Sequence, residues 1–344
     1  MQLPLLIDVH CHLRGPDEGA FGTETKAALA SGFGTVLAMP NTDPPIISIE
    51  SLQAAKQAAE GNIYCDVGFY YGTDGTNMST FSDVADQTKG LKVYLDQTTG
   101  DLKLDYWNLE HLFTSWVKTS PILFHVEEPS TLLNVLQLAT KARRWIHICH
   151  VSTQEQVGLI KQAKGYGAQV TAEVCPHHLV FTESDRPNLG AYGIMKPPLA
   201  RMKDREALWG AIHDGVIDVI ATDHAPHAPD EKDSDNPPFG VIAEPGLPLL
   251  WKLFDERRID LMRLLDLTYT RPYEIFGLQP DPQSYMLFDS EEEWVFDNSM
   301  VHSVAGRSPY HEMRVKGRIR NAYLHGQPVI KDGEILPEKK GQLI

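Results

Sequence analysis

Two histidines near the N-terminus are the first residues whose type and spacing could do chemistry. His10 and His12 follow the apolar run 5–9 and are separated by a single residue. Because residues i and i+2 of a β-strand point to the same face, both imidazoles can reach one metal ion. These scattered histidines and the other candidate ligands form one site if the apolar runs are strands of a single barrel. The other candidates also end such runs, and they are Lys92, His125, His150 and Asp223.

Eight short apolar runs are the elements that must position these side chains. They span 5–9, 34–39, 63–71, 91–95, 122–126, 145–151, 169–175 and 217–221. Stretches with helical character lie between them, with Ser or Thr near several starts and Gly near several ends. Strand and helix repeated eight times predict the α/β class and a (β/α)8 barrel of the TIM type. The active site of such a barrel lies at the carboxyl ends of its strands.

The chain continues well beyond the eighth run. Residues 249–265 predict one or two helices, and residues 294–344 turn to short alternating segments. Because no low-complexity linker precedes this part, it should pack on the barrel. We therefore expect a metal-dependent barrel domain at 1–280 and a small C-terminal extension at 281–344.

Composition narrows the functional classes. The 344 residues carry a formal net charge of −15, and no block of Lys or Arg stands out. This balance argues against nucleic-acid and anionic-membrane partners, so an anionic small substrate would need local basic residues. The four cysteines are far apart, which is typical of reduced thiols. With neither a secretion signal nor a membrane-spanning stretch, we expect a cytoplasmic protein.

The donor types favour one kind of metal. A lone buried histidine is more often a hydrogen-bonded core residue, but these histidines occupy matching positions at the ends of several strands. Four imidazoles and a carboxylate suit zinc better than magnesium or calcium, and two ions are compatible with the set. Lys92 is the one candidate ligand that does not fit this donor set, because its ammonium would repel a cation. A surface lysine, a neutral lysine and a carbamate formed with carbon dioxide all stay open for it.

Six motifs together resemble the dihydroorotases of the amidohydrolase superfamily. The resemblance runs from about residue 3 to the C-terminus and is strongest to the short dihydroorotases that are similar to the domain within the animal multifunctional pyrimidine enzyme. The Asp-x-His-x-His element alone marks only the superfamily, whereas the whole set is specific. The motifs are DVHCHLR at 8–14, MPNT at 39–42, GLKVYL at 90–95, HICHV at 147–151, PHHL at 176–179 and ATDHAPH at 221–227.

The resemblance implies a reaction and a metal centre. The reaction is the reversible, zinc-dependent cyclisation of N-carbamoyl-L-aspartate to L-dihydroorotate in de novo pyrimidine (UMP) biosynthesis. Lys92 would be an N6-carboxylysine that is shared by two zinc ions, and Asp223 would also be the catalytic general base and acid. The first ion would be held by His10, His12, Lys92 and Asp223, and the second by Lys92, His125 and His150.

Substrate contacts are implied in the same way. Arg14 and Asn41 align with residues that bind the substrate α-carboxylate, and His227 aligns with a further contact. A planar guanidinium beside metal ligands also suits bidentate binding of a carboxylate. The loop at 237–246 should lie near the substrate. An anionic cyclic amide is therefore the expected ligand.

Four further residues complete the expected site. Thr98 lies in the stretch 97–102, which resembles the mobile loop that closes over substrate in relatives, and Lys196 should contact substrate. Cys149 and Glu173 neighbour the metal ligands. They could bind a third zinc, or they could form a buried thiol and a carboxylate that orients a metal-bound histidine.

Two rival functions stay open at this stage. A hydantoinase or allantoinase would use the same metal ligands, but a hydantoin lacks the carboxylate that Arg14 and Asn41 would bind. From another class, the chain could be a metal-free scaffold for another pyrimidine enzyme, although such degenerate relatives usually lose ligands and none is lost here. We also expect a homo-oligomer, and association with an aspartate transcarbamoylase stays open.

Overall fold

Short parallel strands follow one another around a barrel, as the alternating pattern of the sequence predicts. The computed structural model describes residues 1–14, 18–98, 102–116, 120–257 and 259–344. A short strand, β1 (Gln2–Pro4), precedes the barrel strands β2 (Leu6–Cys11), β3 (Phe33–Ala38), β4 (Asp66–Phe69), β5 (Tyr71–Gly72), β6 (Leu91–Tyr94), β7 (Ile122–His125), β8 (Ile146–Ile148), β9 (Val170–Val174) and β10 (Val219–Ile220). Each of the eight predicted runs overlaps a strand, and the third run overlaps two short ones, β4 and β5.

Backbone hydrogen bonds close these strands into a ring. One parallel sheet contains β2 to β4, and a second contains β5 to β10 in chain order. The Tyr70 N–H donates to Ala38 O at 3.0 Å, and the Tyr71 N–H donates to the carbonyl that precedes β6 at 3.0 Å. At the opposite edge, Cys11 pairs with His224 in a parallel bridge. The predicted (β/α)8 barrel is therefore confirmed.

Apolar side chains fill the interior of this barrel. One buried cluster contains Ile7, Val9, Leu37, Tyr70 and Val219. These residues come from β2, β3, the junction of β4 and β5, and β10. Parallel strands that are buried on both faces need apolar residues almost throughout. Polar residues at the ends of such strands therefore require a reason other than packing.

Helices cover the outside of the barrel, and several begin where a Ser or Thr predicts a start. The Ser48 side chain accepts a hydrogen bond from the Ser51 N–H, and Thr153 accepts one from the Gln156 N–H. These caps satisfy amide groups that the first helical turn leaves free. None of the helices in the described ranges is long and apolar enough to cross a membrane. The helices are α1 (Glu18–Ala30), α2 (Ile49–Ala59), α3 (Phe81–Val84), α4 (Leu109–Ser115), α5 (Pro129–Lys141), α6 (Gln154–Gly165), α7 (Pro176–Val180), α8 (Arg186–Leu189), α9 (Met202–His213), α10 (Pro229–Lys232), α11 (Leu247–Glu256), α12 (Leu261–Leu265) and α13 (Arg271–Phe276).

A small antiparallel sheet packs beside the barrel and includes the first strand of the chain. Gln2 of β1 pairs with Leu287, which the sequence did not predict because three residues are too few to show a pattern. The boundary between the two parts at residue 280 stays a prediction. In spatial order, the strands are β1, β11 (Tyr285–Val295), β12 (Arg314–Leu324), β13 (Gln327–Lys331) and β14 (Glu334–Ile335).

A histidine in the turn between β12 and β13 contacts the amino end of the barrel. His325 Nδ1 lies 2.8 Å from the Asp281 carboxylate, and its Nε2 lies 3.0 Å from Asp66 at the start of β4. Partial burial lowers the pKa of His325, but the two carboxylates raise it more, so the net pKa lies above the usual value. We call these three residues the His325 clasp.

Candidate active site

Five of the six predicted metal ligands face one another at the carboxyl ends of the strands. His10 Nε2 and His12 Nε2 approach the same oxygen of Asp223, at 3.2 and 3.1 Å. The ring centre of His150 lies 5.3 Å from that of His10 and 4.4 Å from that of His125. Residues from separate strands therefore meet in one buried cluster, as the positions in the sequence predict.

The hydrogen bonds of these histidines leave nitrogen lone pairs that face a carboxylate. His12 Nδ1 donates to Asn41 Oδ1 at 2.7 Å, and His10 Nδ1 contacts Glu173. Burial lowers the pKa of both rings, so each is neutral and its Nε2 carries no proton. His150 Nδ1 is buried without a hydrogen-bond partner in the described part of the chain. Lone pairs directed at a carboxylate oxygen repel it unless a cation lies between them, so this donor set fits zinc.

Lys92 is fully buried on β6, so the surface-lysine interpretation is wrong. Its Nζ lies 3.0 Å from Cys149 Sγ and 4.9 Å from the centre of the Tyr94 ring. Burial raises the pKa of the Cys149 thiol, which is therefore neutral. The contacts of Lys92 within the described ranges include no ion pair with a carboxylate. An ammonium in this position is costly, and conversion to a carbamate would remove the cost.

Glu173 contacts the ring of His10, a predicted metal ligand. Its carboxylate contacts His10 Nδ1, accepts from His147 Nε2 at 3.0 Å and accepts from the His150 N–H at 3.1 Å. Burial raises the pKa of Glu173, but His10 and His147 together hold the net pKa below its usual range. An ionised acceptor behind a metal-bound imidazole fixes its tautomer and its orientation.

The backbone of three site residues is strained. Arg14, His150 and Asp223 have φ values of 59°, 35° and 50°, in the left-handed region that residues with a Cβ rarely adopt. Asp8 supports the last of them, because its carboxylate accepts from the Thr222 N–H at 3.0 Å and from Thr222 Oγ1 at 2.5 Å. Burial raises the pKa of Asp8 to about 6. Contacts between the first and last barrel strands therefore hold Asp223 in place.

Arg14 and Asn41 line the pocket beside the candidate ligands, and together with His227 they also line a neighbouring cavity. Arg14 donates through Nη2 to His227 Nε2 at 2.8 Å and through Nε to Pro226 O at 3.2 Å. Burial and the neighbouring guanidinium lower the pKa of His227 to about 4, so its ring is neutral and accepts. The guanidinium edge between Nη1 and Nη2 retains N–H groups that suit a carboxylate. This acidic protein therefore presents a fixed positive charge beside the candidate metal ligands.

Thr98 and Lys196 line another part of the pocket. The Lys196 ammonium donates to Gln97 O at 2.7 Å and lies 3.8 Å from the Glu127 carboxylate. Lys196 therefore connects the pocket to the stretch that was predicted to be mobile. Residues 99–101 of that stretch fall outside the described residues, so its closure stays a prediction.

The loop at 237–246 forms a wall of the pocket, as expected. Phe239, Gly240 and Val241 all line it. A Cβ on Gly240 would lie 2.2 Å from Ala225 O, so a side chain cannot be accommodated here without moving the backbone. This close approach fixes the distance between the wall and the loop that follows β10.

Lys232, at the end of α10, braces this wall from behind. Its buried ammonium contacts four backbone carbonyl oxygens, those of Gly240 at 2.8 Å, Pro238 at 2.9 Å, and Ala191 and Ile194 at 3.2 Å each. Burial lowers the pKa of Lys232 to about 8. A single cation thus links the pocket wall to the segment around α8.

Sequence reasoning missed several residues that position the candidate ligands or brace the pocket wall. Glu127 Oε1 lies 3.1 Å from His125 Nε2 and follows it by two residues, so the same-face rule that paired His10 with His12 could have found it. Asp8 also precedes His10 by two residues. Lys232 gave no signal, because its partners lie in distant loops.

The family of the chain agrees with this geometry. A model of the amidohydrolase family matches residues 1–280, a range that contains every predicted metal ligand. The chain therefore belongs to the amidohydrolase family.

Relatives of known activity give a finer comparison. The multifunctional protein CAD of Squalus acanthias is 38% identical over 350 residues, which cover 99% of this chain and 15% of that protein. A dihydroorotase of Enterococcus faecalis is 31% identical over 365 residues, which cover 94% of this chain and 86% of that enzyme. The chain thus spans a small part of the multifunctional relatives and most of this dihydroorotase.

Solved structures share the fold while differing in their named functions. L-hydantoinase (dihydropyrimidinase) from Arthrobacter aurescens superposes with a TM-score of 0.93 at 23% identity, covering 100% of this chain and 88% of that one. The inactive dihydroorotase-like domain of a Chaetomium thermophilum CAD-like multifunctional protein gives 0.84 at 25% identity, covering 99% and 98%. The fold alone therefore does not decide between these activities, so the choice depends on the residues of the site.

Proposed function

We propose that the protein is a dihydroorotase, a cyclic amidohydrolase of pyrimidine biosynthesis that interconverts N-carbamoyl-L-aspartate and L-dihydroorotate. The observation that carries the proposal is the Arg14–His227 pair beside the converging histidines. This pair supports the proposal, because a free guanidinium edge beside a cluster of candidate metal ligands is what a cyclic amide with a carboxylate requires. Relatives named dihydroorotase support the same activity.

Binding of the α-carboxylate orients the rest of the substrate. Arg14 is held by Pro226 O and His227, so its guanidinium cannot turn freely. A carboxylate bound to its free edge leaves the ring amide to extend toward Asp223, which lines the same pocket. Positioning of this kind converts loose binding into a reactive geometry. We assign Asn41, Thr98 and Lys196 as further contacts.

Asp223 carries the proton of the reaction. Ring closure joins the ureido nitrogen to the side-chain carboxyl and releases water, and it takes up one proton because two carboxylates become one. Burial raises the pKa of Asp223, and its neighbours His10 and Lys92 offset this rise only in part. In ring opening, Asp223 takes a proton from the attacking water and delivers it to the ring nitrogen, and closure reverses these steps.

We infer that the cluster holds two zinc ions that share Lys92 as its carbamate. Zinc held by these residues would supply Lewis-acid activation of the carbonyl and of water near neutral pH. The support is the set of unprotonated nitrogens and the buried ammonium described above. The ligands would be His10, His12, Lys92 and Asp223 for one ion, and Lys92, His125 and His150 for the other.

Reconstitution tests the carbamate directly. Protein stripped of its active-site metal should take up two zinc ions per chain at this cluster and recover activity when bicarbonate is supplied, but not in buffer free of carbon dioxide. The Lys92→Arg variant, which keeps the charge, should fail in both buffers. Full zinc binding without carbon dioxide would contradict the carbamate.

The role of Glu173 follows from its three donors, and we propose that it orients His10. A third zinc at His10, Cys149 and Glu173, whose donor atoms lie within 4.8 Å of one another, stays the alternative. Cys149→Ala should leave the zinc content unchanged if the alternative is wrong.

A homo-oligomer and association with an aspartate transcarbamoylase also stay proposals, which light scattering of the protein alone and with that enzyme would test.

An assay of the zinc-loaded protein tests the proposed activity. We expect it to interconvert carbamoyl aspartate and dihydroorotate, with hydantoin and allantoin turned over far more slowly. Turnover of only the carboxylate-free rings would keep the metal site and overturn the substrate. No turnover of any of these substrates by the metal-bound protein would instead favour an inactive scaffold.

A further inference from the structure

A second group of buried donor atoms lies at the start of α7, outside the ligand set assigned above. It consists of Cys175, His177 and His178, which are 0%, 0% and 2% exposed. Their donor atoms lie within 4.8 Å of one another. None of the three lines the substrate pocket. The activity proposed above therefore does not use them.

The tautomer of His178 is fixed by one contact. Its Nε2 lies 3.1 Å from Pro197 O, and a carbonyl can only accept, so Nε2 carries the proton. Burial lowers the pKa of His178 to about 4, so the ring is neutral. Nδ1 is then a lone pair, and it has no hydrogen-bond partner among the described residues.

His177 is even less satisfied. Both of its ring nitrogens are buried and lack a hydrogen-bond partner in the ranges that the structure describes. Leaving a buried polar group unpaired costs about 1–3 kcal/mol, so such groups call for an explanation. Its ring centre lies 4.3 Å from that of His178. Two unprotonated nitrogens and a thiol thus lie together, and within the described ranges none of these nitrogens has a partner.

We propose that Cys175, His177 and His178 bind a structural zinc ion, separate from the metals of the active site. Sulfur and imidazole are the donors of structural zinc sites, whereas the active-site ligands are imidazoles and oxygens. A Cys-x-His-His spacing lets one short segment supply all three ligands. When zinc binds, the Cys175 thiol loses its proton to solvent and the Zn–S bond forms. The ion and the thiolate together then carry a net charge of +1.

This ion would tie α7 to the pocket. His178 already contacts Pro197 O, and Met195 and Lys196 of the same segment line the substrate pocket. A metal on the opposite nitrogen of His178 would strengthen that hydrogen bond, because it makes the Nε2–H more acidic. The ion is therefore a positioning element for this wall and not a catalytic group.

Metal analysis with matched variants tests the site. We expect purified, zinc-replete Cys175→Ala to contain one zinc per chain fewer than the unaltered protein. Cys65→Ala, which removes another fully buried thiol, should keep the full content. In cobalt-substituted protein, the thiolate-to-metal absorption should vanish in Cys175→Ala and persist in Cys149→Ala. Identical metal content and spectra in Cys175→Ala and the unaltered protein would overturn the proposal and favour buried water.

A second measurement does not depend on the folding of Cys175→Ala. X-ray absorption at the zinc edge of the unaltered protein and of Cys149→Ala should show sulfur scattering at about 2.3 Å in both. Purely nitrogen and oxygen scattering in the unaltered protein would overturn the site. Since neither measurement requires turnover, the outcome is independent of the proposed dihydroorotase activity.

Discussion

The two ends of the barrel use histidine in opposite ways. At the carboxyl end, burial lowers the pKa of His10, His12 and His150, and lone pairs of these rings face other ligands or, within the described residues, no partner. At the amino end, His325 lies between two carboxylates and its pKa is raised. The first arrangement prepares neutral donors for a cation, and the second makes a charged clasp. His10 also contacts two carboxylates, Glu173 and Asp223, so carboxylate partners alone do not explain the difference. Burial of the rings at the carboxyl end is nearly complete and outweighs their partners, whereas His325 is only partly buried and its two carboxylates raise its pKa.

The largest expected effect comes from a change at the carboxyl end. Asp223→Asn should lower turnover by about 10²–10⁴-fold, the range of a lost general acid and base. The free energy of unfolding should change little or rise, because a neutral amide replaces a carboxylate whose pKa burial raises. Steady-state kinetics and urea unfolding of the same preparation measure both quantities.

Asp281→Asn is the matched control at the amino end. It removes one carboxylate of the His325 clasp and should leave turnover unchanged while lowering stability. If both variants lost activity and stability together, the division of labour between the two ends would be wrong.

Arg14 tests whether the carboxyl end binds an anion. Arg14→Ala should raise KM for dihydroorotate by about 10–100-fold, because a hydrogen bond to a charged group contributes roughly 1.5–3 kcal/mol. Arg14→Lys should recover part of this loss, since it keeps the charge without the planar fork. An unchanged KM in Arg14→Ala would remove Arg14 from carboxylate binding.

The expected effect of substituting Lys232 is intermediate in size, because Lys232 is a buried cation that stabilises the pocket wall but does not contact the candidate metal ligands. Lys232→Met leaves the carbonyls of Pro238 and Gly240 without their donor and should cost about 1–3 kcal/mol of unfolding free energy, with a severalfold rise in KM. Lys161→Met, at an exposed ion pair with Asp214, should change stability by less than about 1 kcal/mol. Equal losses in both variants would show that Lys232 does not brace the wall.

The smallest effect is the pH dependence of the clasp. The folded pKa of His325 lies above its unfolded value, so its stabilisation is complete below pH 6.5 and is lost as pH rises through the folded pKa. The stability difference between the protein and His325→Gln should therefore shrink on going from acidic to alkaline pH. For a partly exposed group, we expect about 1 kcal/mol or less. A difference that grows with pH would contradict the charged clasp.

Much of the fold and the grouping of the candidate ligands could be predicted from the sequence, because they rest on local rules. Strand residues two apart share a face, and carboxyl ends of parallel strands meet, so the sequence alone places His10, His12, His125, His150 and Asp223 in one group. Their binding of zinc stays a prediction. The same local rules placed the starts of α2 and α6 near Ser and Thr.

What escaped prediction depends on contacts between distant loops. Lys232 meets carbonyls that lie about 40 positions earlier in the chain, and no periodicity records that approach. Asn41 was expected to bind substrate, yet its side chain also orients His12, a role that only the folded geometry reveals. The strand Gln2–Pro4 joined the small sheet for a similar reason, since its partner lies near the other end of the chain.

The central claim is that one site combines metal ligands with a carboxylate-binding arginine. Its most direct test is the ratio of kcat/KM for L-dihydroorotate to that for dihydrouracil, which lacks the carboxylate, in zinc-loaded protein and in Arg14→Ala. We predict a preference for dihydroorotate of roughly 100-fold or more that collapses in the variant. Equal turnover of the two rings by the unaltered protein, or a preference that survives loss of Arg14, would contradict the claim.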